Sequence, residues 1–221
     1  MTQRTTYRAV IFDMDGVLVD SEPAFYDAVN DVLAEEGRSI DWERYKHLLG
    51  TSVQHTWREV IAMLNMRGDL NDYLRRYDDI LLDCLRRPRP PLPGVVPLLD
   101  ELEQRDVPVA IATSSWMSWY DAVMESCGLG GRFRAVVTAD VIERPKPAPD
   151  TYLRAAELLG VEASECIAVE DTPPGIAAAK AAGMYAIQSR ASSTALPPIA
   201  DADLVIDTLE YFPVAMLPVR S

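Results

Sequence analysis

Carboxylates, hydroxyls and one ammonium stand at the ends of short apolar runs in this 221-residue chain. Asp13 and Asp15 follow Ala9-Val10-Ile11-Phe12, Thr113 and Ser114 follow Val107–Ala112, and Glu170 and Asp171 follow Ile167-Ala168-Val169. Ala135-Val136-Val137 is followed by Asp140 and then by Lys146 in Arg144-Pro145-Lys146-Pro147. An ionised carboxylate held in line with phosphorus can accept a phosphoryl group. Nucleophile and phosphate repel each other, so this chemistry calls for a cation between them. Mg²⁺ suits the task, because it takes hard oxygen ligands and keeps waters and a substrate phosphate around it. Asp13 and Asp171 supply carboxylates, and Glu170 would bind such an ion directly or through water. Asp15 lies two residues beyond Asp13, on the same side of an extended segment. It is placed to protonate a leaving alkoxide and later to take a proton from water. Lys146 offers a point positive charge to phosphate and nucleophile. Thr113, with N–H groups near Ser114, would hold phosphate oxygens where a helix begins near Ser115 or Trp116. Each residue also has a plainer reading. Asp171 can be a helix N-cap ahead of Pro173 and Pro174, Thr113 a strand-end cap, and Lys146 a solvent-facing side chain.

These residues need a scaffold that brings strand ends together. The apolar runs named above, with Tyr185-Ala186-Ile187 and Leu204-Val205-Ile206, are continuous rather than alternating, as in strands covered on both faces. Between them Val95, Leu98, Leu99 and Leu102 recur at helical spacing, as do Tyr152, Ala155, Ala156 and Leu159. Gly175–Ala182 is Ala-rich and ends at Gly183, a C-terminal stop. Strand and helix alternate from Gly94 onward, which predicts an α/β fold with a doubly wound, mostly parallel sheet. In such a sheet, ligands bind beyond the carboxyl ends of the strands. Ser21 to Arg87 breaks the alternation: Phe25, Ala28, Val29, Val32 and Leu33 form a helical stripe, and amphipathic segments follow at 42–49, 53–64 and 70–85. The insertion is too long for a crossover and reads as a small helical domain. Arg86–Gly94, rich in proline, reads as a stiff return linker.

The chain resembles the haloacid dehalogenase (HAD) superfamily of phosphohydrolases over nearly its whole length. Asp13-Met14-Asp15-Gly16-Val17-Leu18-Val19-Asp20-Ser21 is similar to the first motif, Thr113 to the second, Lys146 to the third and Glu170-Asp171 to the fourth, in that order. The resemblance implies a Rossmann-like core of residues 1–17 and 91–221 with an α-helical cap of residues 18–90. It implies a magnesium ion held by Asp13, Asp171, the main-chain carbonyl of Asp15 and, directly or through water, Glu170. It also implies catalysis through an aspartyl-phosphate on Asp13. The helical insertion is typical of the subfamily of phosphoglycolate phosphatases, sugar-phosphate phosphatases and β-phosphoglucomutase. That mutase carries basic residues around a cap-loop glycine, where this chain has Leu49, Gly50 and Val53, and a histidine where it has Phe25. The departure favours a phosphatase acting on a small phosphorylated metabolite, such as a sugar phosphate, over a phosphosugar mutase. The intact motifs argue against a non-catalytic binding protein, which has no need of Asp15. Glu22, Gly50, Thr51, Ser52 and Trp116 are the candidates for substrate choice, with His47, His55 and Trp57 as further candidates whose plainer reading is packing or surface.

Composition narrows the partners. The chain is 48% hydrophobic and 25% charged, with a mean hydropathy of −0.03, as expected of a globular protein. A net charge of −13 argues against a protein that coats nucleic acid or an anionic membrane, and makes a locally positive site necessary for a phosphorylated substrate. Cys84, Cys127 and Cys166 form no CxxC and are odd in number, which suggests structural thiols in a reducing, cytoplasmic setting. MTQRTTYR is polar and reads as no signal peptide, and no apolar run approaches the ~20 residues of a membrane span. A monomer or weak homodimer is expected.

Overall fold

The computed structural model describes residues 6–48, 52–192 and 197–219. In chain order the elements are β1 (Ala9–Phe12), α1 (Glu22–Ala34), α2 (Trp42–Tyr45), α3 (Val53–Met63), α4 (Leu70–Arg86), α5 (Val95–Gln104) and β2 (Val109–Ala112). Then follow α6 (Met117–Cys127), β3 (Ala135–Val137), α7 (Asp150–Leu159), β4 (Cys166–Glu170), α8 (Pro173–Ala181), β5 (Tyr185–Ser189) and β6 (Leu204–Ile206). The chain divides into two compact units: one runs to Asp20 and resumes at Arg89, and the other spans Ser21–Pro88.

The first unit carries a six-stranded sheet in the order β3-β2-β1-β4-β5-β6, and every pairing is parallel. β1 lies between β2 and β4, where the strand order reverses, and a crevice for ligand opens at the carboxyl ends of the strands on either side of such a point. The residues of β1, β2 and β4 are buried throughout, which is why their sequences read as unbroken apolar runs. Alternate positions still divide between faces. Ala9 and Ile11, Ala110 and Ala112, and Cys166 and Ala168 share one core cluster with Tyr152, Ala155 and Ala156 of α7 and Ile176, Ala178 and Ala179 of α8. The small residues of α8 let that helix lie close to the sheet, while Tyr152 fills the larger space near the crevice.

Every regular element among the described residues of the second unit is a helix. α1 packs along α4, and Arg76 of α4 reaches the carboxylates of Glu35 and Glu36 just beyond the end of α1. Its core is aromatic: Trp57 of α3 stacks on Tyr73 at 5.2 Å and meets the edge of Tyr77 at 5.8 Å. The amphipathic segment expected over 42–49 is shorter than its pattern suggests, since α2 ends at Tyr45 and passes into a 3₁₀ turn over Lys46–Leu48. None of the described helices is long and apolar enough to cross a membrane.

Candidate active site

Two residues continue the sheet past its strand ends. The Asp13 N–H donates to Val169 O at 2.9 Å, and the Thr113 N–H donates to Val137 O at 3.0 Å. These extra rungs fix the backbone from which both side chains start. After Asp13 the chain turns sharply at Gly16, where φ is +75° and a Cβ would lie 2.0 Å from Asp171 Oδ2. Glycine is needed there both for the left-handed turn and for the close approach of that carboxylate.

Lys146 stands at the centre. Its ammonium donates to Asp13 Oδ1 at 2.6 Å, to Glu170 Oε1 at 2.5 Å and to the main-chain oxygen of Ala112 at 2.9 Å. An ammonium has three N–H groups, so all are committed, and a phosphate oxygen reaches it only by sharing or displacing a partner. The side chains of Lys146, Asp13 and Glu170 are 6%, 10% and 1% exposed, so the ions are desolvated as well as close. Burial alone would pull the lysine's pKa down, and the charges of Asp13 and Glu170 outweigh it and hold the ammonium above the ordinary lysine value. Burial pushes the Asp13 carboxyl up to about 8; Lys146 opposes the rise, and Glu170 and Asp15 add to it. Burial, then Glu170 and Asp13, lift Asp171 well above the usual carboxylate range.

Glu170 is saturated. Its Oε1 accepts from Lys146 and from the Tyr152 hydroxyl at 3.1 Å, and its Oε2 accepts from the N–H groups of Asp171 and Thr172 and from the Thr172 hydroxyl. Asp171 contrasts with it, because its Oδ1 is buried without a hydrogen-bond partner. An orphaned carboxylate oxygen at such depth is costly unless a cation completes it. Asp13, Glu170 and Asp171 each offer an oxygen within 4.8 Å of the others. Four carboxylates, counting Asp15, face one ammonium here, so the pocket fits a divalent cation by charge and by hard-oxygen chemistry.

The structure brings Asp13, Asp15, Lys146, Glu170 and Asp171 to one place. Thr113 lies beside them, buried, its Oγ1 accepting the Ser115 N–H at 3.0 Å. Ser114 is exposed at the tip of the same loop. Trp116, 51% exposed, precedes α6, which starts one residue later than the latest expected position. Asp171 is not the helix N-cap. Thr172 holds that position, its side chain accepting the Gly175 N–H at 3.2 Å, because Pro173 opens the helix and sets the cap one residue before it. Glu22 opens α1 in the helical unit, and Ser52 caps α3 by accepting the His55 N–H at 3.2 Å. His47 and His55 are exposed and Trp57 is buried in that unit's aromatic core. Leu49, Gly50 and Thr51 lie outside the described residues.

Three residues were not singled out by sequence reasoning. The Ser115 hydroxyl donates to Asp15 Oδ2 at 2.7 Å, tying the general-acid candidate to the loop after β2. Tyr152, part of an apolar stripe by spacing, bonds Glu170 through its hydroxyl. Gly175 makes room for Glu170, since a Cβ there would lie 1.8 Å from its carboxyl carbon. The run Thr113-Ser114-Ser115 was a usable signal for the first; the other two depend on tertiary proximity.

Comparison with known proteins agrees with this geometry. The family model described as haloacid dehalogenase-like hydrolase matches residues 10–188. Fructose-1-phosphate phosphatase YqaB of Escherichia coli (strain K12) is 35% identical over 187 residues, which is 83% of this chain and 97% of that protein. Protein SUPPRESSOR OF QUENCHING 1, chloroplastic, of Arabidopsis thaliana is 37% identical over 183 residues, covering 81% of this chain; the match spans only 17% of that longer protein. Among solved structures, CbbY from Rhodobacter sphaeroides in complex with phosphate superposes with a TM-score of 0.82 at 25% identity, over 96% of this chain and 99% of that one. The chain belongs to the haloacid dehalogenase-like hydrolases, and the enzyme it forms is a phosphohydrolase.

Proposed function

We propose that this phosphohydrolase releases phosphate from a small sugar phosphate in two transfers at phosphorus, first to Asp13 and then to water. One Asp13 carboxylate oxygen attacks phosphorus as the bond to the leaving oxygen breaks. Asp15 donates the proton that this alkoxide needs. Asp15 then takes a proton from the incoming water, whose oxygen bonds to phosphorus as the Asp13–phosphorus bond breaks. Ser115 holds Asp15 for both proton transfers. Thr113 and the N–H groups beside Ser114 face the phosphate oxygens, and Lys146 neutralises charge on the nucleophile and on the transferring group. Asp13, Asp171 and the Asp15 main-chain carbonyl would hold a magnesium ion, with Glu170 behind Lys146. When bound, that ion screens the repulsion between carboxylate and phosphate. Trp116 is the core unit's candidate contact to the carbon skeleton of the substrate.

One observation carries the reading: Lys146 pairs with Asp13 directly beside a buried Asp171 oxygen that has no partner. The similarity to a fructose-1-phosphate phosphatase supports the sugar-phosphate class. Three cysteines, odd in number and without a CxxC, fit a reducing compartment such as the cytoplasm. The test is phosphate release from a panel of phosphorylated sugars, polyols and short organic acids in Mg²⁺, with conversion of glucose 1-phosphate to glucose 6-phosphate followed in parallel. Release from a sugar phosphate is expected. Isomer conversion without release, or no turnover on the whole panel, would overturn the reading.

A further inference from the structure

Tyr152 touches both members of the ion pair that governs Asp13. It is fully buried on α7, its hydroxyl donates to Glu170 Oε1 at 3.1 Å, and the Lys146 ammonium lies 5.0 Å from its ring centroid. The ring face covers the ammonium. The hydroxyl occupies a lone pair of the same oxygen to which that ammonium donates at 2.5 Å. A phenylalanine would fill this part of the core without bringing a polar group that needs a partner. The other Glu170 oxygen is already fixed by Asp171 and Thr172, so the Tyr152 hydroxyl completes the hold on a carboxylate that would otherwise answer to Lys146 alone on that side. Resting on the reading of Asp13 as nucleophile, we propose that Tyr152 is a positioning residue, whose hydroxyl and ring together set where Lys146 meets Asp13.

The chain has only three lysines, Lys46, Lys146 and Lys180, so the side-chain ammonium signals of lysine-labelled protein are few enough to assign by substitution. Lys46 and Lys180 are 39% and 38% exposed, whereas Lys146 is buried and its ammonium protons should exchange slowly. In the wild type, the Lys146 ε-methylene resonance should be displaced by the aromatic ring. Tyr152→Phe should keep that displacement, speed ammonium exchange about tenfold and lower kcat about tenfold at nearly constant KM. Tyr152→Leu should lose the displacement as well. Wild-type exchange or wild-type kcat in a folded Tyr152→Phe protein overturns the inference. The exchange measurement needs no substrate, so it decides the hold of Tyr152 on Lys146 even if Asp13 proves not to attack phosphorus. A wild type without turnover on any phosphoester would strike the proposed function instead.

Discussion

Gly175→Ala tests how tightly Glu170 is held. A Cβ at residue 175 would lie 1.8 Å from the Glu170 carboxyl carbon and 1.9 and 2.1 Å from its oxygens. Ordinary carbon contacts begin near ~3.5 Å, so the carboxylate must retreat by more than about 1 Å. It cannot do so and keep its five hydrogen bonds, to Lys146, Tyr152, Asp171 N–H and both donors of Thr172. Overpacking a core costs about 1–3 kcal/mol, and each hydrogen bond lost to a charged group about 1.5–3 kcal/mol, part of which relaxation recovers. A net loss of about 3 kcal/mol is expected, which for a chain of this size lowers Tm by roughly 6–12 °C. Because Lys146 follows Glu170, an ångström of displacement should also cut kcat about 100-fold. Calorimetry and p-nitrophenyl phosphate hydrolysis read the two effects. Gly130→Ala is the control, since a Cβ there meets nothing within 4 Å. A Gly175→Ala protein that melts and turns over like the wild type would refute the reasoning.

Other expectations follow from the same cluster and its surroundings. Adding Mg²⁺ at about 100 times its Kd should stabilise the fold by about 2.7 kcal/mol and chelation should abolish turnover; a Tm indifferent to Mg²⁺ would remove the ion from this pocket. Ser115→Ala should lower kcat about tenfold with KM little changed, because Asp15 loses a charge-assisted hydrogen bond; steady-state kinetics decide it. Burial pushes the Cys166 thiol up to about 12, so at pH 8 only about one molecule in ten thousand carries the thiolate. A disulfide reagent at pH 8 should leave Cys166 unmodified until the protein unfolds, as peptide mapping would show.

The sheet was legible because β1, β2 and β4 are buried on both faces, and burial writes itself into sequence as unbroken apolar runs. The polar residues that follow them were legible for a related reason: a parallel sheet collects all its carboxyl ends on one edge. Tyr152 was hidden by the same logic, since a helical stripe records that a residue faces the core but not what its hydroxyl meets. Ser115 and Asp15 are 100 positions apart, so the run Thr113-Ser114-Ser115 signals a polar strand end but not the partner its last hydroxyl bonds. The cap at Thr172 could have been read, because Pro173 occupies a first helical position and places the N-cap before it. Asp171 is thereby left with an unpaired oxygen, which points to a cation more directly than its residue type does.

The central claim, transient attachment of phosphorus to Asp13, is tested most directly by trapping. A single turnover with a ³²P-labelled sugar phosphate, quenched in acid, should leave label on the protein that hydroxylamine releases. Fragmentation of the tryptic peptide running from Ala9 to Arg38 should place that label on Asp13, and the Asp13→Asn protein should carry none while melting like the wild type. Full phosphate release with no protein-bound label at any quench time, or label unaffected by Asp13→Asn, would contradict the account.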